Sequence, residues 1–292
     1  MPLIALFHSQ TINRCHEYNF VLQAMNMTGQ VVEHDDRYYL LVEEDTAPLA
    51  YQQLQSYLRE NTPEESLSRP LHRFSKGYIG AYMYGLILLI VGALKSTQSL
   101  GLDWYHHGVA HSEKILDGEW WRTITALSLH GDIAHLAGNL GFGALFGLLV
   151  AQHIGSSAAW LMILLSGAAG NYLNAYLHSS LHLSIGASTM VFAALGILGV
   201  FALNDRYSYA QRGIRRWLPF IATLALLAFT GTAGENTDVI AHLAGYFCGC
   251  IAAASWIFFT RNQTDKIDQS IQKVMFFASF SIFVGAWLLA FH

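Results

Sequence analysis

The feature that most constrains this chain is a long central stretch without any charged side chain. No Asp, Glu, Lys or Arg lies between Asp132 and Asp205. A stretch of that length does not fit a single soluble core. At about 20 residues per crossing, it predicts a chain that passes back and forth through a membrane. Charged residues make up 12% of the whole sequence, against about 25% in soluble domains, which favours the same class.

Apolar segments of membrane-spanning length recur along the chain after residue 70. They lie near 78–94, 135–152, 157–177, 186–203, 216–231, 239–259 and 271–291. Each has close to the length that a helix needs to cross the hydrocarbon core. The predicted fold class is therefore an all-α polytopic membrane protein with seven transmembrane helices.

Residues 1–70 have a different character, because they are rich in polar and charged side chains. Alternating patterns predict strands at 3–7 and 36–45, and patterns of helical period predict helices at 10–26 and 47–61. We expect a small cytoplasmic α+β domain of order β-α-β-β-α. A polar linker that contains Pro63 and Pro70 joins it to a membrane domain at 71–292.

The distribution of positive charge predicts the orientation in the membrane. Basic residues cluster before the first segment, between the fourth and fifth, and between the sixth and seventh: Arg69, Arg73, Lys76, Arg206, Arg212, Arg215, Arg216, Arg261, Lys266 and Lys273. The loops at 178–185 and 232–238 contain no Lys or Arg. Because cytoplasmic loops carry the excess of Lys and Arg, we expect a cytoplasmic N-terminus and an external C-terminus.

Four polar residues fall at one expected depth: His135, Asn139, Ser188 and His242. Segments two, four and six run in the same direction, and these residues lie in or near the first turns of those segments. Polar side chains inside a membrane face the bundle interior and are functional candidates by default. Taken alone, Ser188 is more simply a helix-packing serine, but the shared layer favours a reactive site.

A serine–histidine pair is the chemistry that this layer indicates. A hydroxyl becomes a good nucleophile when a neighbouring base takes its proton, and histidine is the usual base. Gly245 and Gly249 have the GxxxG spacing that lets two helices approach closely, so Ser188 and His242 can meet. Acyl transfer also needs donors for the developing oxyanion, which the start of segment four and the polar residues of segment two can supply. No Asp or Glu lies at this depth, which leaves a dyad.

Three sequence pieces carry a family resemblance: GEWWRTITALSLHGDIAHLAGNL at 118–140, GAS at 186–188 and AHLAGYFCG at 241–249. With these pieces the chain resembles the rhomboid intramembrane serine proteases, most of all the bacterial GlpG type, from about residue 78 to 259. The N-terminal region resembles the small cytoplasmic domain of that type more weakly. The resemblance implies a rhomboid-like six-helix core to which a seventh, C-terminal transmembrane helix is added.

The resemblance also implies roles for individual residues. Ser188 is expected to be the nucleophile and His242 the general base. The oxyanion hole is expected to comprise His135, Asn139 and the backbone N–H of Ser188. The residues expected to support the site are Gly186, Phe192, Gly245, Gly249, Trp121 and Arg122. Trp121 and Arg122 are expected to anchor the first loop, the chain at 95–134 between the first two membrane segments.

The implied activity is a serine endopeptidase that cuts transmembrane segments of membrane proteins near the outer membrane face. The implied location is the lipid bilayer of a bacterial inner membrane. The implied partners are transmembrane substrates, with no nucleic acid, and no cofactor or metal is expected. Two positions depart from the family pattern. Thr189 follows the nucleophile where glycine is common, and Phe192 replaces a tyrosine that stacks on the catalytic histidine, so the ring is kept and the hydroxyl is lost.

Alternative functions remain open at this level. An inactive rhomboid-like protein that binds transmembrane clients has no need of a serine and a histidine in one layer. A transporter predicts broken helices near mid-membrane, whereas these polar residues lie near one face. A metalloprotease requires His130, His135 and His242 to share a metal, and His130 is more simply a loop-stabilising residue.

The histidines of the first loop, His106, His107 and His111, form a cluster in the sequence. No carboxylate-rich or HExxH pattern accompanies them. We therefore interpret them as solvated loop residues and not as a metal site.

Overall fold

The structure is a computed structural model that describes residues 2–61, 77–178, 181–204, 217–231, 238–260 and 269–292. It divides into two compact units, Met1–Leu71 and His72–His292. The expected polar linker with Pro63 and Pro70 lies outside the described residues. So do the basic residues on which the predicted orientation depends, apart from Lys273. The orientation therefore stays a prediction.

The N-terminal unit is a three-stranded antiparallel sheet with two helices. Its elements are β1 (Leu3–Ser9), α1 (Ile12–Ala24), β2 (Gly29–His34), β3 (Arg37–Glu43) and α2 (Ala47–Asn61), and the spatial strand order is β1-β3-β2. Leu40 and Val42 lie on the same face of β3 because strand side chains alternate, and they pack with Leu22 and Ala50 of the two helices. The predicted β-α-β-β-α order is confirmed.

The second unit is almost entirely helical. Its elements are α3 (Tyr78–Ser96), α4 (Trp104–Gly108), β4 (Ala110–His111), α5 (Ser112–Leu116), α6 (Arg122–Thr125), α7 (Ile133–Ile154), α8 (Ser156–Leu177), β5 (Leu183–Ser184), α9 (Ser188–Asn204), α10 (Leu218–Gly231), α11 (Val239–Thr260) and α12 (Gln269–Ala290). The long helices α3 and α7 to α12 coincide with the predicted apolar segments.

By length and composition, α3, α7, α11 and α12 can each cross a membrane. Helix α9 and residues Leu218–Phe229 of α10 are apolar but shorter. Helix α8 is as long as α7 and places Ser166, Asn171 and Asn174 among its buried residues. The fold is an all-α polytopic membrane protein, with a six-helix core, a seventh C-terminal helix and a small N-terminal α+β region.

Several helix starts differ by one or two residues from the predicted segments, and for α7 and α9 the structure gives a local reason. Helix α7 begins at Ile133 and not at 135, because the Asp132 side chain accepts a hydrogen bond from the backbone N–H of His135 at 2.8 Å and caps the helix. Helix α9 begins at Ser188 and not at 186. The backbone at Gly186 has φ +126°, which is incompatible with a helix.

Helix α9 lies at the centre of the membrane unit and packs against α7, α8, α10 and α11. Its approach to α11 is close because glycines face backbone atoms. A Cβ at Gly245 would overlap the carbonyl oxygen of Thr189, and a Cβ at Gly249 would overlap that of Ala193. From the other side, a Cβ at Gly196 would overlap the carbonyl of Tyr246. The two helix starts are therefore held against each other.

The seventh helix, α12, is attached to the core at both ends. Near its start, Gln272 donates to the carbonyl of Ile154 at 3.0 Å and accepts from the backbone N–H of Ser157 at 3.1 Å. Near its end, the indole of Trp287 donates to the hydroxyl of Ser128 at 3.2 Å. These contacts join α12 to the α7–α8 turn and to the first loop.

Candidate functional site

Ser188 is the first residue of α9 and is half-buried. The two residues before it are tied to the first loop. The backbone N–H of Gly186 donates to the carbonyl of Ala126 at 3.0 Å, and that of Ala187 donates to Nε2 of His130 at 3.4 Å. The turn at Gly186 also brings the chain against α7, because a Cβ at Gly186 would lie 2.7 Å from Nε2 of His135. Glycine is required there both for its backbone angle and for space.

His242 lies in the first turns of α11 and is buried, with 7% of its surface exposed. Its ring packs on the ring of Phe192, with 4.4 Å between the centroids. Phe192 lies one helical turn after Ser188 on α9, so the two share a face of that helix. Together with the close approach at Gly245, this brings the turn that carries His242 against the turn that carries Ser188.

Asn139 and His135 lie one turn apart on α7 and face the same segment. Asn139 is buried, its backbone carbonyl accepts a hydrogen bond from the Tyr84 hydroxyl at 2.7 Å, and its Nδ2 lies 3.0 Å from Nε2 of His130. A Cβ at Gly186 would lie 3.5 Å from that same Nδ2. Both side chains therefore border the backbone that leads into Ser188, where amide and ring N–H groups can serve as donors.

His130 was interpreted from the sequence as a loop-stabilising residue, and the structure gives it a defined place in the site. A backbone N–H can only donate, so the contact with Ala187 makes Nε2 the acceptor, and the ring is neutral with its proton on Nδ1. Burial lowers the pKa of His130 to about 4, which agrees with a neutral ring. The same Nε2 accepts from Asn139, so His130 joins the candidate oxyanion donor to the chain before Ser188.

Trp121 and Arg122 hold the first loop together. Arg122 is buried, with 3% of its surface exposed, and its Nη1 donates to the carbonyls of His106 and Val109 at 3.0 Å each. Its Nε pairs with Glu119, which compensates the cost of burying the charge. Trp121 packs against two apolar clusters, one that includes Leu88 of α3 and one that includes Trp287 of α12. The loop that carries His130 therefore has a rigid base.

Asp238 precedes α11 and fixes the start of the helix that carries His242. Its Oδ1 accepts from the backbone N–H of Ala241 at 3.0 Å, and its Oδ2 accepts from Nδ2 of Asn174 at 2.8 Å and lies 2.7 Å from Nε2 of His182. Burial raises the pKa of this carboxyl, but the hydrogen bonds from His182, the helix backbone and neighbouring side chains outweigh it and lower the pKa below its usual value.

The histidines proposed for a shared metal do not form such a group. Among the described residues, the three potential ligands that lie within 4.8 Å of one another belong to His178, His182 and Asp238. His130, His135 and His242 are not among them. In the first loop, His106 is exposed, whereas Nδ1 of His107 lies 2.9 Å from the carbonyl of Ala290. The metalloprotease interpretation gains no support from this geometry.

The fold and the site define a class: a polytopic helical membrane protein in which a serine begins one helix and a buried histidine lies in the first turns of a helix packed against it. The Rhomboid domain family model matches residues 117–261, which contain all of these elements. The chain belongs to the rhomboid family.

Several curated proteins of the same family are similar to the chain. It is 32% identical over 170 residues to Rhomboid protease GluP of Bacillus subtilis, covering 58% of this chain and 32% of that protein. It is 29% identical over 146 residues to Rhomboid-like protease 1 of Toxoplasma gondii, covering 49% and 50%. It is 32% identical over 165 residues to RHOMBOID-like protein 6, mitochondrial, of Arabidopsis thaliana, covering 54% and 49%. The chain therefore spans from about a third to about half of the length of these relatives.

Proposed function

We propose that the chain is an intramembrane serine endopeptidase that cleaves transmembrane segments of other membrane proteins. The observation that carries this proposal is the packing of His242 on Phe192, one turn from Ser188, with α9 and α11 in glycine-mediated contact. That geometry suits a hydroxyl and an imidazole that act as a pair. Family membership and the printed names of the protease relatives support the same reaction class.

In the proposed reaction, His242 takes the proton of the Ser188 hydroxyl while Oγ of Ser188 bonds to the carbonyl carbon of the scissile peptide. The carbonyl π electrons move to the oxygen and form an oxyanion. When the C–N bond breaks, the leaving amine receives the proton from His242. Water then hydrolyses the acyl-enzyme with His242 again as base, which returns the proton to Ser188.

The oxyanion is proposed to be held by donors that already border the turn at Gly186. These are the side chains of Asn139 and His135 and the backbone N–H of Ser188, which is at a helix start and has no acceptor within its own helix. The Asn139 donor is held before substrate arrives, because its backbone carbonyl accepts from Tyr84 and its side chain contacts His130. Removal of one such donor typically lowers kcat by about 10²–10³-fold.

The proposed setting is a bacterial inner membrane, with the N-terminus cytoplasmic and the C-terminus external. In this arrangement the starts of α7, α9 and α11 lie toward the outer face, and substrates are cut there. Residues 1–70 are proposed to form a separate cytoplasmic domain, which is consistent with the compact unit Met1–Leu71. Because α9 is a short helix, its first residue is expected to lie below the outer lipid surface, where a water-filled recess has to supply the hydrolytic water.

The test is cleavage of a fluorogenic transmembrane substrate by the full chain in detergent. We expect wild type to cleave it, and Ser188→Ala and His242→Ala to lose more than about 10³-fold of the rate. Ser166→Ala, a buried serine of α8 outside the site, is the matched control and is expected to cleave as wild type does. Cleavage that persists in Ser188→Ala contradicts the proposal.

Inactivity of the well-folded wild type toward a panel of transmembrane substrates would favour the other interpretation, in which the chain binds transmembrane clients without cutting them. In that case the substrates are expected to bind wild type and Ser188→Ala equally well.

A further inference from the structure

Three side chains with metal-binding chemistry meet outside the Ser188 site. His178 follows α8, His182 precedes β5 and Asp238 precedes α11. One potential ligand atom from each lies within 4.8 Å of the others, and all three residues are half-buried. We propose that His178, His182 and Asp238 form a binding site for a divalent transition-metal ion of the zinc type. This proposal does not depend on the proposed protease function.

The two imidazole rings lie face to face. The rings of His178 and His182 stack with 3.7 Å between their centroids and 7° between their planes. The lone pair of an imidazole nitrogen lies in the ring plane, so one of the two rings has to turn about its Cβ–Cγ bond before both can bind the same metal ion. Nδ1 of His178 lies 2.9 Å from the carbonyl of Asn174. Since a carbonyl only accepts, Nδ1 carries the proton, and Nε2 keeps a free lone pair.

The carboxylate of Asp238 completes a set of two nitrogens and one oxygen. It lies 2.7 Å from Nε2 of His182, so the metal would take the place of the proton that these two atoms now share. In a tetrahedral zinc site with bonds of about 2.0–2.1 Å, neighbouring ligand atoms lie about 3.3 Å apart. Metal binding therefore requires Oδ2 of Asp238 and Nε2 of His182 to move apart by less than about 1 Å. The ligand atom of His178, which lies within 4.8 Å of both, has to reach the same spacing of about 3.3 Å.

The surroundings already supply the hydrogen bonds that support metal ligands. Ligating histidines usually donate their second N–H to a carbonyl or carboxylate, and ligating carboxylates are hydrogen-bonded in turn. His178 meets the first condition through the carbonyl of Asn174, and Asp238 meets the second through Ala241 and Asn174. Asn174 is buried, and its Oδ1 has no hydrogen-bond partner among the described residues. That oxygen is a ready acceptor for a water molecule on the metal.

His182 is also held at its backbone. Its N–H donates to the hydroxyl of Ser112 at 3.0 Å, and its carbonyl accepts from the backbone N–H of Ser112 at 3.0 Å. The imidazole therefore projects from a fixed point beside the β4–β5 ladder. A site built on fixed backbone loses less entropy when a metal binds than one built on a free loop.

The donor set selects the kind of metal. Two imidazole nitrogens and one carboxylate, with a water as the fourth ligand, are typical of zinc and related transition metals, whereas Mg²⁺ and Ca²⁺ prefer oxygen ligands. Bound metal would join the end of α8, the chain before β5 and the start of α11, four residues before His242. The expected result is a more stable α11 start. The proposal departs from the expectation of no metal, and its three ligands do not include Ser188 or His242.

The test is metal binding by the full chain, purified without a polyhistidine tag, stripped with a chelator and kept in detergent. Calorimetric titration with Zn²⁺ is expected to show one more bound equivalent for wild type than for His178→Ala. Titration with Mg²⁺ is expected to show no binding at this site. Asp238→Asn, which keeps an oxygen to cap α11, is expected to weaken Zn²⁺ binding by more than about tenfold. His106→Ala, an exposed histidine of the first loop, is the matched control and is expected to behave as wild type does.

Thermal unfolding gives a second readout. Zn²⁺ is expected to raise the Tm of wild type and of His106→Ala but not that of His178→Ala, because a metal that binds the folded state stabilises it. The Tm of His178→Ala without metal shows whether that variant folds. Unchanged Zn²⁺ stoichiometry in both His178→Ala and Asp238→Asn, or no Zn²⁺ binding by wild type, would overturn the proposal whatever the outcome of the cleavage assay.

Discussion

The ring of Phe192 lies on the ring of His242, with 4.4 Å between their centroids and 39° between their planes. This contact joins α9, one turn after its start, to the first turn of α11. It restricts rotation of the imidazole about its Cβ–Cγ bond, because such rotation would break the contact between the two ring faces. The proposed base is therefore positioned by the same helix that carries the proposed nucleophile.

The first prediction concerns that contact. Phe192→Ala is expected to lower kcat by about 3–10-fold, because an aromatic contact of about 0.5–1.5 kcal/mol that orients the imidazole is lost. Phe192→Tyr keeps the ring and is expected to stay within about twofold of wild type. Steady-state cleavage kinetics on both variants measure this. Equal kcat for wild type and Phe192→Ala would show that the stacking does not position the base.

The second prediction concerns the turn before Ser188. Gly186→Ala is expected to lower activity by more than about 100-fold. Its methyl group meets His135, and its backbone has φ +126°, which a residue with a side chain rarely adopts. Gly141→Ala on α7 meets nothing within 4 Å and serves as the control. Cleavage rate and Tm are measured for both. Full activity in Gly186→Ala would mean that this turn does not shape the oxyanion site.

The third prediction concerns the contact between α9 and α11. Gly249→Ala is expected to destabilise the protein by about 1–3 kcal/mol, because its methyl group overlaps the Ala193 carbonyl and forces the helices apart. Gly285→Ala on α12 faces open space and is expected to be neutral or slightly stabilising, since alanine is the better helix former. Thermal unfolding in detergent compares the two. An equal Tm for both variants contradicts the close approach.

The fourth prediction follows from the neutral ring of His130. Burial lowers its pKa from 6.5 to about 4, so between these values the unfolded chain binds a proton that the folded chain does not. The free energy of unfolding is therefore expected to fall as the pH drops from about 6.5 to about 4, by up to about 3 kcal/mol for this group.

His130→Gln retains an acceptor but does not titrate, so this part of the pH dependence is expected to disappear in the variant. Unfolding measured across this pH range for both proteins provides the comparison. Identical pH profiles would show that His130 is not buried as a neutral ring.

Sequence patterns predict the long helices well, because long apolar runs are easy to locate, and this includes α9 and α10, which are shorter than about 20 residues. They place Ser188 and His242 near the starts of α9 and α11, since position along a helix follows from counting residues from its predicted start. The shift of α9 from 186 to Ser188 depends on the backbone angle at Gly186, which a glycine permits but does not require.

Contacts between segments far apart in the chain are less accessible from one sequence. His130 reaches Ala187, and nothing in the spacing of these residues indicates that contact. The pairing of Ala110 with Ser184, and the meeting of His178, His182 and Asp238, likewise depend on how loops fold over the bundle. Periodicity describes which face of a helix is buried, but not which loop side chains meet.

The measurement that tests the central claim most directly is labelling by a serine-reactive fluorophosphonate, read by intact mass and by peptide mapping. A pair formed by Ser188 and His242 predicts one label on wild type, located on Ser188, and almost no label on Ser188→Ala or on His242→Ala. Label that maps to another serine, or that forms at the wild-type rate in His242→Ala, would contradict the account.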